Sequence, residues 1–253
     1  NRISRSVLDT AARALAGLVN LDAAPACDSN RRLVAATMFG VTTPSVERAR
    51  DRLEEAGFEV LVFHATGNGG QAMESLISEG LISGVLDITT TELADELVGG
   101  ILSAGPDRLR AAGRAGVPQV ISVGATDMVN FGPRRDVPAS FADRLFYEHN
   151  PTVTLMRTTL EENRRLGEQI GDRAAAAVGP TTLMLPLEGV SAIDRAGEPF
   201  DDPAAREALF AGIRDHHAPA ELIELPHHIN DPEFADAAAM RLIELINSQG
   251  EPG

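Results

Sequence analysis

The sequence predicts an α/β fold: a doubly wound, mostly parallel Rossmann-like sheet with helices on both faces. Three observations point there. From about residue 30 onward, short β-rich apolar runs alternate with stretches of helical periodicity. The interval between successive runs leaves room for a helical crossover, and such crossovers are right-handed and make their strands parallel. The composition is that of a globular chain, 43% hydrophobic and 23% charged over 253 residues, enough for one large domain.

Residues 1–29 stand apart as an amphipathic helix and connector, and 30–253 form the α/β domain. Ile3, Val7, Leu8, Ala11, Ala12, Leu15, Leu18 and Val19 recur at helical spacing. An apolar stripe of this kind calls for cover by another chain or domain. The connector from Asp22 to Arg31 follows. Leu33 to Met38 is the first strand, and Thr43-Pro44 supplies an N-cap with proline at N1 for a helix running to Ala56 and stopped by Gly57. Phe58 to Ala65 is the second strand. Thr66-Gly-Asn-Gly-Gly70 turns into a helix reaching Ser78, and Val85 to Thr89 is the third strand. Helices are expected over Glu92 to Val98, closed by Gly99-Gly100, and over Asp107 to Ala115, before a fourth strand from Gln119 to Val123. Gly124 to Pro138 reads as loop, broken by Asn130-Phe-Gly-Pro133, and Pro151 to Val178 as one long helix carrying Leu155, Leu160, Leu166 and Ile170. Strands at Thr182 to Leu185 and Leu222 to Leu225 then alternate with helices at Pro203 to Arg214 and Pro232 to Asn247, the last behind an Asp231 cap.

Charge and residue usage exclude several function classes. The net charge is −15, which repels phosphate backbones and argues against nucleic acid as a partner. No apolar run approaches the roughly 18 residues of a membrane span, so no membrane partner is expected. All 22 basic residues are Arg. Without Lys there is no Schiff-base chemistry and no P-loop lysine, so any bound anion must be held by Arg, backbone amides or a metal. The single Cys, Cys27, excludes an internal disulfide and a multi-thiolate zinc site and reads as a linker residue; the chain suits a reducing cytoplasm.

In doubly wound sheets ligands bind beyond the carboxyl ends of the strands, and these ends are rich here in Thr, Gly, Asp and His. Thr66, Gly67, Asn68, Gly69 and Gly70 form the best phosphate-binding candidate. Glycines allow close backbone approach, and the following helix offers free amides, although the same residues also suit a plain strand-to-helix turn. Thr89, Thr90 and Thr91 cap a helix or hold a phosphate or a metal-bound water. Asp87, inside the apolar Gly84-Val-Leu-Asp-Ile88, is either a structural acceptor or a catalytic group. Asp127, Glu148 and Glu188 are candidates for proton transfer, and His64, His149, His227 and His228 for a general base or metal ligands, while His216-His217 at a helix end reads as exposed. No HExxH or GxSxG pattern occurs. The expectation is that Asp87, Thr90, Asp127, Glu188 and His228 surround one cleft bordered by the Thr66 to Gly70 loop.

Several longer phrases carry a family resemblance: Thr37-Met-Phe-Gly-Val-Thr-Thr-Pro44, His64-Ala-Thr-Gly-Asn-Gly-Gly-Gln-Ala-Met73, Gly84-Val-Leu-Asp-Ile-Thr-Thr-Thr91, Asp127-Met-Val-Asn-Phe-Gly-Pro133, Leu155-Met-Arg-Thr-Thr159 and His228-Ile-Asn-Asp-Pro-Glu-Phe234. Together they resemble the bacterial, fungal and plant family that includes the ATP-binding domain of the tomato mosaic virus resistance protein. The resemblance covers essentially the whole chain and is to the carboxyl-terminal half of a domain with two Rossmann-like halves. Ile3 to Val19 resembles the helix between the halves, which implies a partner: a polypeptide supplying the amino-terminal half, or a second copy of this chain. It also implies a nucleotide ligand, ATP, with Mg²⁺ as a further cofactor. On this reading Thr66 to Gly70 hold phosphates, Thr89 to Thr91 assist them or bind Mg²⁺, and Asp127, Glu188 or a His moves a proton in the catalytic half of a two-part enzyme acting on a small anionic metabolite. The alternatives are an ATP-independent lyase or hydrolase of a carboxylated or phosphorylated molecule, and a non-catalytic nucleotide-binding regulatory module.

Overall fold

The computed structural model describes residues 2–19 and 31–249, in two compact units that divide at Arg31/Arg32. The first unit contains α1 (Arg2–Val19). Of its apolar stripe, Leu8 and Leu15 are 69% and 63% exposed, and Ala11 and Ala12 are exposed too. The side chains of Ile3, Val7, Leu18 and Val19, and the connector with Cys27, lie outside the described residues.

The second unit runs β1 (Leu33–Met38), α2 (Thr43–Glu55), β2 (Glu59–His64), α3 (Asn68–Ser78), β3 (Gly84–Thr89), α4 (Glu92–Val98), α5 (Ala111–Ala115), β4 (Gln119–Gly124), β5 (Met128–Phe131), β6 (Phe146–Asn150), β7 (Val153–Arg157), α6 (Leu160–Ala175), β8 (Thr181–Pro186), α7 (Pro203–His216), β9 (Glu221–Leu225) and α8 (Pro232–Ser248). The main sheet has the order β2-β1-β3-β4-β8-β9 with every pair parallel. β3, β4 and β8 are buried along their whole length, which accounts for their nearly unbroken apolar sequences, whereas the edge strands β2 and β9 are partly exposed. Side chains alternate between the two faces of the sheet. Val34, Ala36, Leu86 and Ile88 face α2 and α8, while Ala35 and Val85 meet α3 and α5, and Ile121 and Leu183 meet α6 and α7. The expected fold class is therefore the one found.

Three local expectations fail, each for a physical reason. Pro151 to Val178 is not one helix: Val153-Thr-Leu-Met-Arg157 pairs as a strand with β5 and β6, and the helix starts at Leu160. Its true start is a capping box, in which the Thr159 hydroxyl accepts from the Glu162 amide at 3.2 Å and the Glu162 carboxylate accepts from the Thr159 amide at 2.7 Å. The expected loop 124–138 holds β5, so β5, β7 and β6 form a second, antiparallel sheet. The helix expected from Asp107 begins only at Ala111, because Leu109 takes φ +67° and Arg108 turns inward. Two caps also differ in detail. Thr42 holds the cap position of α2 with its hydroxyl bonded to Phe39 and Thr89 rather than to the helix amides, and the Asp231 carboxylate accepts from the His228 amide behind it rather than from the helix. The small sheet packs Met128 and Leu155 against Val41, Ala125, Ile193 and Phe200. It thereby covers the ends of β1, β4 and β8, where an open crevice was expected.

Candidate functional site

The 2-1-3 order of the first three strands puts the topological switch between β1 and β3, with the β2–α3 loop beside it. Gly67 in that loop adopts φ +82°, a left-handed conformation. A Cβ on Gly69 would collide with the His64 carbonyl. Both glycines are thus required by backbone geometry. The Gly67 and Gly70 amides, which sequence reading assigned to a phosphate, donate instead to Glu92 Oε1 at 2.7 and 3.1 Å. Among the described residues, the amides of Asn68 and Gly69 in the first turn of α3 have no protein acceptor, as helix geometry dictates for leading N–H groups. Asn68, Thr66 and His64 are exposed around them.

Glu92 belongs to a buried ionic cluster. Arg108, 1% exposed, forks onto Asp87 with contacts of 2.5 and 2.7 Å and donates to Glu92 Oε2 at 2.6 Å. The Thr37 hydroxyl donates to Asp87 Oδ1 at 2.7 Å. Glu74, 3.4 Å from Arg108, accepts from the Leu109, Arg110 and Ala111 amides and so caps α5. Burial pushes the Glu92 carboxyl upward against the opposing pull of Arg108. Both Asp87 oxygens are thus committed to internal partners, and the residue acts as a structural acceptor.

The threonines are likewise turned inward. Thr89, Thr90 and Thr91 are fully buried. The Thr89 and Thr42 hydroxyls lie 2.8 Å apart, the Thr90 hydroxyl donates to the Ser122 carbonyl, and that of Thr91 accepts from the Asn130 amide group at 3.3 Å. Asp95, one turn into α4, accepts from the Asn130 backbone and side chain and from the Leu102 amide, and burial raises its pKa to about 7.

Asp127 sits in a second cluster at the end of β4. It is fully buried; its Oδ2 accepts from the Ser191 hydroxyl at 2.8 Å, and its Oδ1 has no partner among the described residues. Burial and the neighbouring Asp194 raise its pKa to about 7, opposed by Arg157. Asp194 is held by Arg206 at 2.8 Å and Arg157 at 3.4 Å. His228, 1% exposed, donates from Nε2 to the Ser191 carbonyl in the tautomer that lets Nδ1 accept from the Asn230 amide, and burial depresses its pKa. A serine, an aspartate and a histidine are therefore neighbours, but not as a nucleophilic triad, because the histidine meets the serine's carbonyl and the hydroxyl is spent on the carboxylate.

Among the described residues, the five expected groups do not meet in one set of contacts. Asp127 and His228 share one cluster, Asp87 and the glycine loop share another, and Glu188 is exposed with only its backbone bonded, to His227. His64, His149 and Glu148 are exposed, His227 is half-buried, and His216 is half-exposed and bonded to Asp172. Two cavities of about 480 and 490 Å³ are lined by none of the predicted site residues. Sequence reading missed Arg108, Glu92, Glu74, Asp95, Arg157 and Asp194, which carry most of the buried polar chemistry. The available signal was the need of Asp87 for a cation, which in a chain without Lys had to be one of the arginines.

Residues 31–246 match the model of the "Uncharacterised protein family (UPF0261) C-terminal domain". A UPF0261 protein of Clostridium tetani is 51% identical over 97% of this chain and 61% of its own length. A UPF0261 protein of Mesorhizobium japonicum is 50% identical over 94% of this chain and 60% of its own. The ToMV resistance protein Tm-1(GCR237) of Solanum lycopersicum is 43% identical over 97% of this chain and 33% of its own. The chain thus spans about three fifths of the bacterial relatives it matches and a third of the tomato protein.

Proposed function

The chain belongs to the UPF0261 family, and on that premise we propose that its α/β unit binds a phosphate-bearing ligand, a nucleotide such as ATP, at the N-terminus of α3. One observation carries the reading: the acceptor-free amides of Asn68 and Gly69 lead an eleven-residue helix beside the switch point, where amides and helix dipole favour an anion. Glu92 supports it by fixing the loop from behind, so the two free amides are held in place before any ligand arrives. Exposed Thr66 and His64 flank them, and His64 is the general-base candidate beside the loop. Mg²⁺ enters, in this reading, with the nucleotide, since the Thr89 to Thr91 hydroxyls face inward. The family's amino-terminal half, or a second copy of this chain, is the partner that closes the site and supplies the remaining chemistry on a small anionic metabolite.

Gly69 is unsuited to testing this, because any side chain there strikes the His64 carbonyl. Asn68→Asp tests it cleanly. A carboxylate in the first helical turn suits the dipole and preserves stability, yet repels a bound phosphate. Calorimetric titration with MgATP should show saturable binding to the parent chain and its loss in N68D at unchanged melting temperature. Equal binding by both chains, or none by the parent chain, overturns the proposal.

A further inference from the structure

On the flank of the second unit, α4, the 101–110 segment and α6 enclose a cavity of about 480 Å³, within the size range of small-molecule sites. Its lining includes Arg110, Arg165, Arg173 and Gln169, with Leu97 and Pro106 as apolar wall and Glu96 and Asp172 as the acids. Three arginines lining one cavity are unexpected in a chain of net charge −15.

The local pairing leaves the positive charge in excess. Asp172 is held by His216 at 2.9 Å, and Glu96 accepts from the Ser103 hydroxyl. The arginines lack comparable partners. Arg165 is exposed and joins no ion pair among the described residues. Arg110 has only a 4.0 Å approach to Asp107, itself 74% exposed. Arg173 is nine-tenths buried; its Nη2 donates to the Pro106 carbonyl at 3.3 Å and its Nη1 has no acceptor among the described residues. A buried guanidinium without a carboxylate is costly, and the fixed cation of Arg108 lies behind it. Burial first, then Arg110 and Arg108, depress the Arg173 pKa to about 10, against the weaker pull of Glu74 and Glu96. An anion in the cavity relieves the repulsion among the guanidinium groups that line it.

We propose that this cavity is a second ligand site, separate from the front of α3, which takes a small organic molecule bearing a phosphate or carboxylate group on Arg110, Arg165 and Arg173 and lays its apolar part against Leu97 and Pro106. Guanidinium forks match the paired oxygens of both groups. Gln169 supplies a neutral polar contact at the same wall.

The test is titration calorimetry at constant ionic strength with inorganic phosphate, glycerol phosphate and succinate. The expected result is saturable binding in the millimolar range or tighter to at least one probe, with glycerol phosphate above inorganic phosphate if the apolar wall contributes, and succinate strongest if the natural group is a carboxylate. Arg165→Gln, at an exposed position that leaves the fold intact, should weaken the bound probe about tenfold, the worth of one charged hydrogen bond. Arg173→Met should abolish binding; if that variant fails to fold, Arg110→Gln provides the second measurement. The titrations are repeated in the N68D chain, whose α3 N-terminus repels phosphate, and the binding expected to persist there belongs to the cavity, which keeps the outcome independent of the α3 site. No saturable heat with any probe, or equal affinities in parent chain, R165Q and R110Q, overturns the proposal.

Discussion

Replacing Arg108 by Met removes the cation that Asp87, Glu92 and Glu74 share while keeping most of its volume. Two of the three stranded carboxylates are 0–1% exposed, so water cannot take over the lost charge. Removing one member of a buried ion pair costs about 3–5 kcal/mol. At about 2–4 °C per kcal/mol for a unit of this size, the melting temperature should fall by roughly 6–20 °C. The pH dependence carries the diagnosis. Burial already raises the Glu92 pKa, and loss of Arg108, which opposes that rise, raises it further. An acid whose folded pKa exceeds its unfolded one gives full stability below the unfolded value and loses it as pH rises through the folded value. The deficit of R108M should therefore be largest at neutral pH and shrink on acidification. Adding Asp87→Asn and Glu92→Gln should recover much of the loss, since a neutral buried set needs no cation. Urea unfolding at several pH values reads all three effects. A variant within about 0.5 kcal/mol of the parent chain at neutral pH, the range of an ordinary surface substitution, refutes the buried-network account.

Two further outcomes follow from named contacts. Asp127 and Asp95 both have pKa values raised to about 7, so their contribution to stability is present below the ordinary carboxylate range and is lost as pH rises through neutrality. Asp127→Asn removes one of these titrations, and its urea midpoints between about pH 5 and 8 should fall less steeply than those of the parent chain; parallel curves would contradict the assignment. Thr159→Ala deletes one side of the α6 capping box and should cost about 1 kcal/mol in the same assay, with loss of protection at the Glu162 amide in hydrogen exchange.

The strand-helix alternation was legible because it depends on local spacing. Leu33–Met38 and Glu92–Val98 fall where periodicity put them. Val153–Arg157 was lost because Leu155 also fits a helical register with Leu166 and Ile170, and its strand pairing depends on Met128–Phe131, a run too short to announce itself. The Thr159…Glu162 capping box was in plain view and marks the correct start. For the candidate site, the sequence showed that Asp87 is embedded in apolar neighbours and that Thr66 to Gly70 must turn tightly. What occupies the loop from behind was hidden. Glu92 reaches it from 22 and 25 positions away, and Arg108 reaches Asp87 from 21, through a segment that reads as helix but turns inward at Leu109. Asp127 and Asp194 are neighbours across 67 residues for the same reason. In this acidic chain the carboxylates of Glu74, Glu92, Asp95, Asp194 and Asp231 bind loop amides internally. A glycine-rich motif therefore indicates an anion without saying whether it is a ligand or the chain's own side chain.

The most direct measurement is the backbone amide spectrum of the protein titrated with MgATP. Saturable shifts centred on Asn68 and Gly69, with Gly67 and Gly70 nearly still because Glu92 retains them, are the result this account predicts. An unperturbed α3 N-terminus at millimolar nucleotide, or displacement of Glu92 from the Gly67 and Gly70 amides, would contradict it.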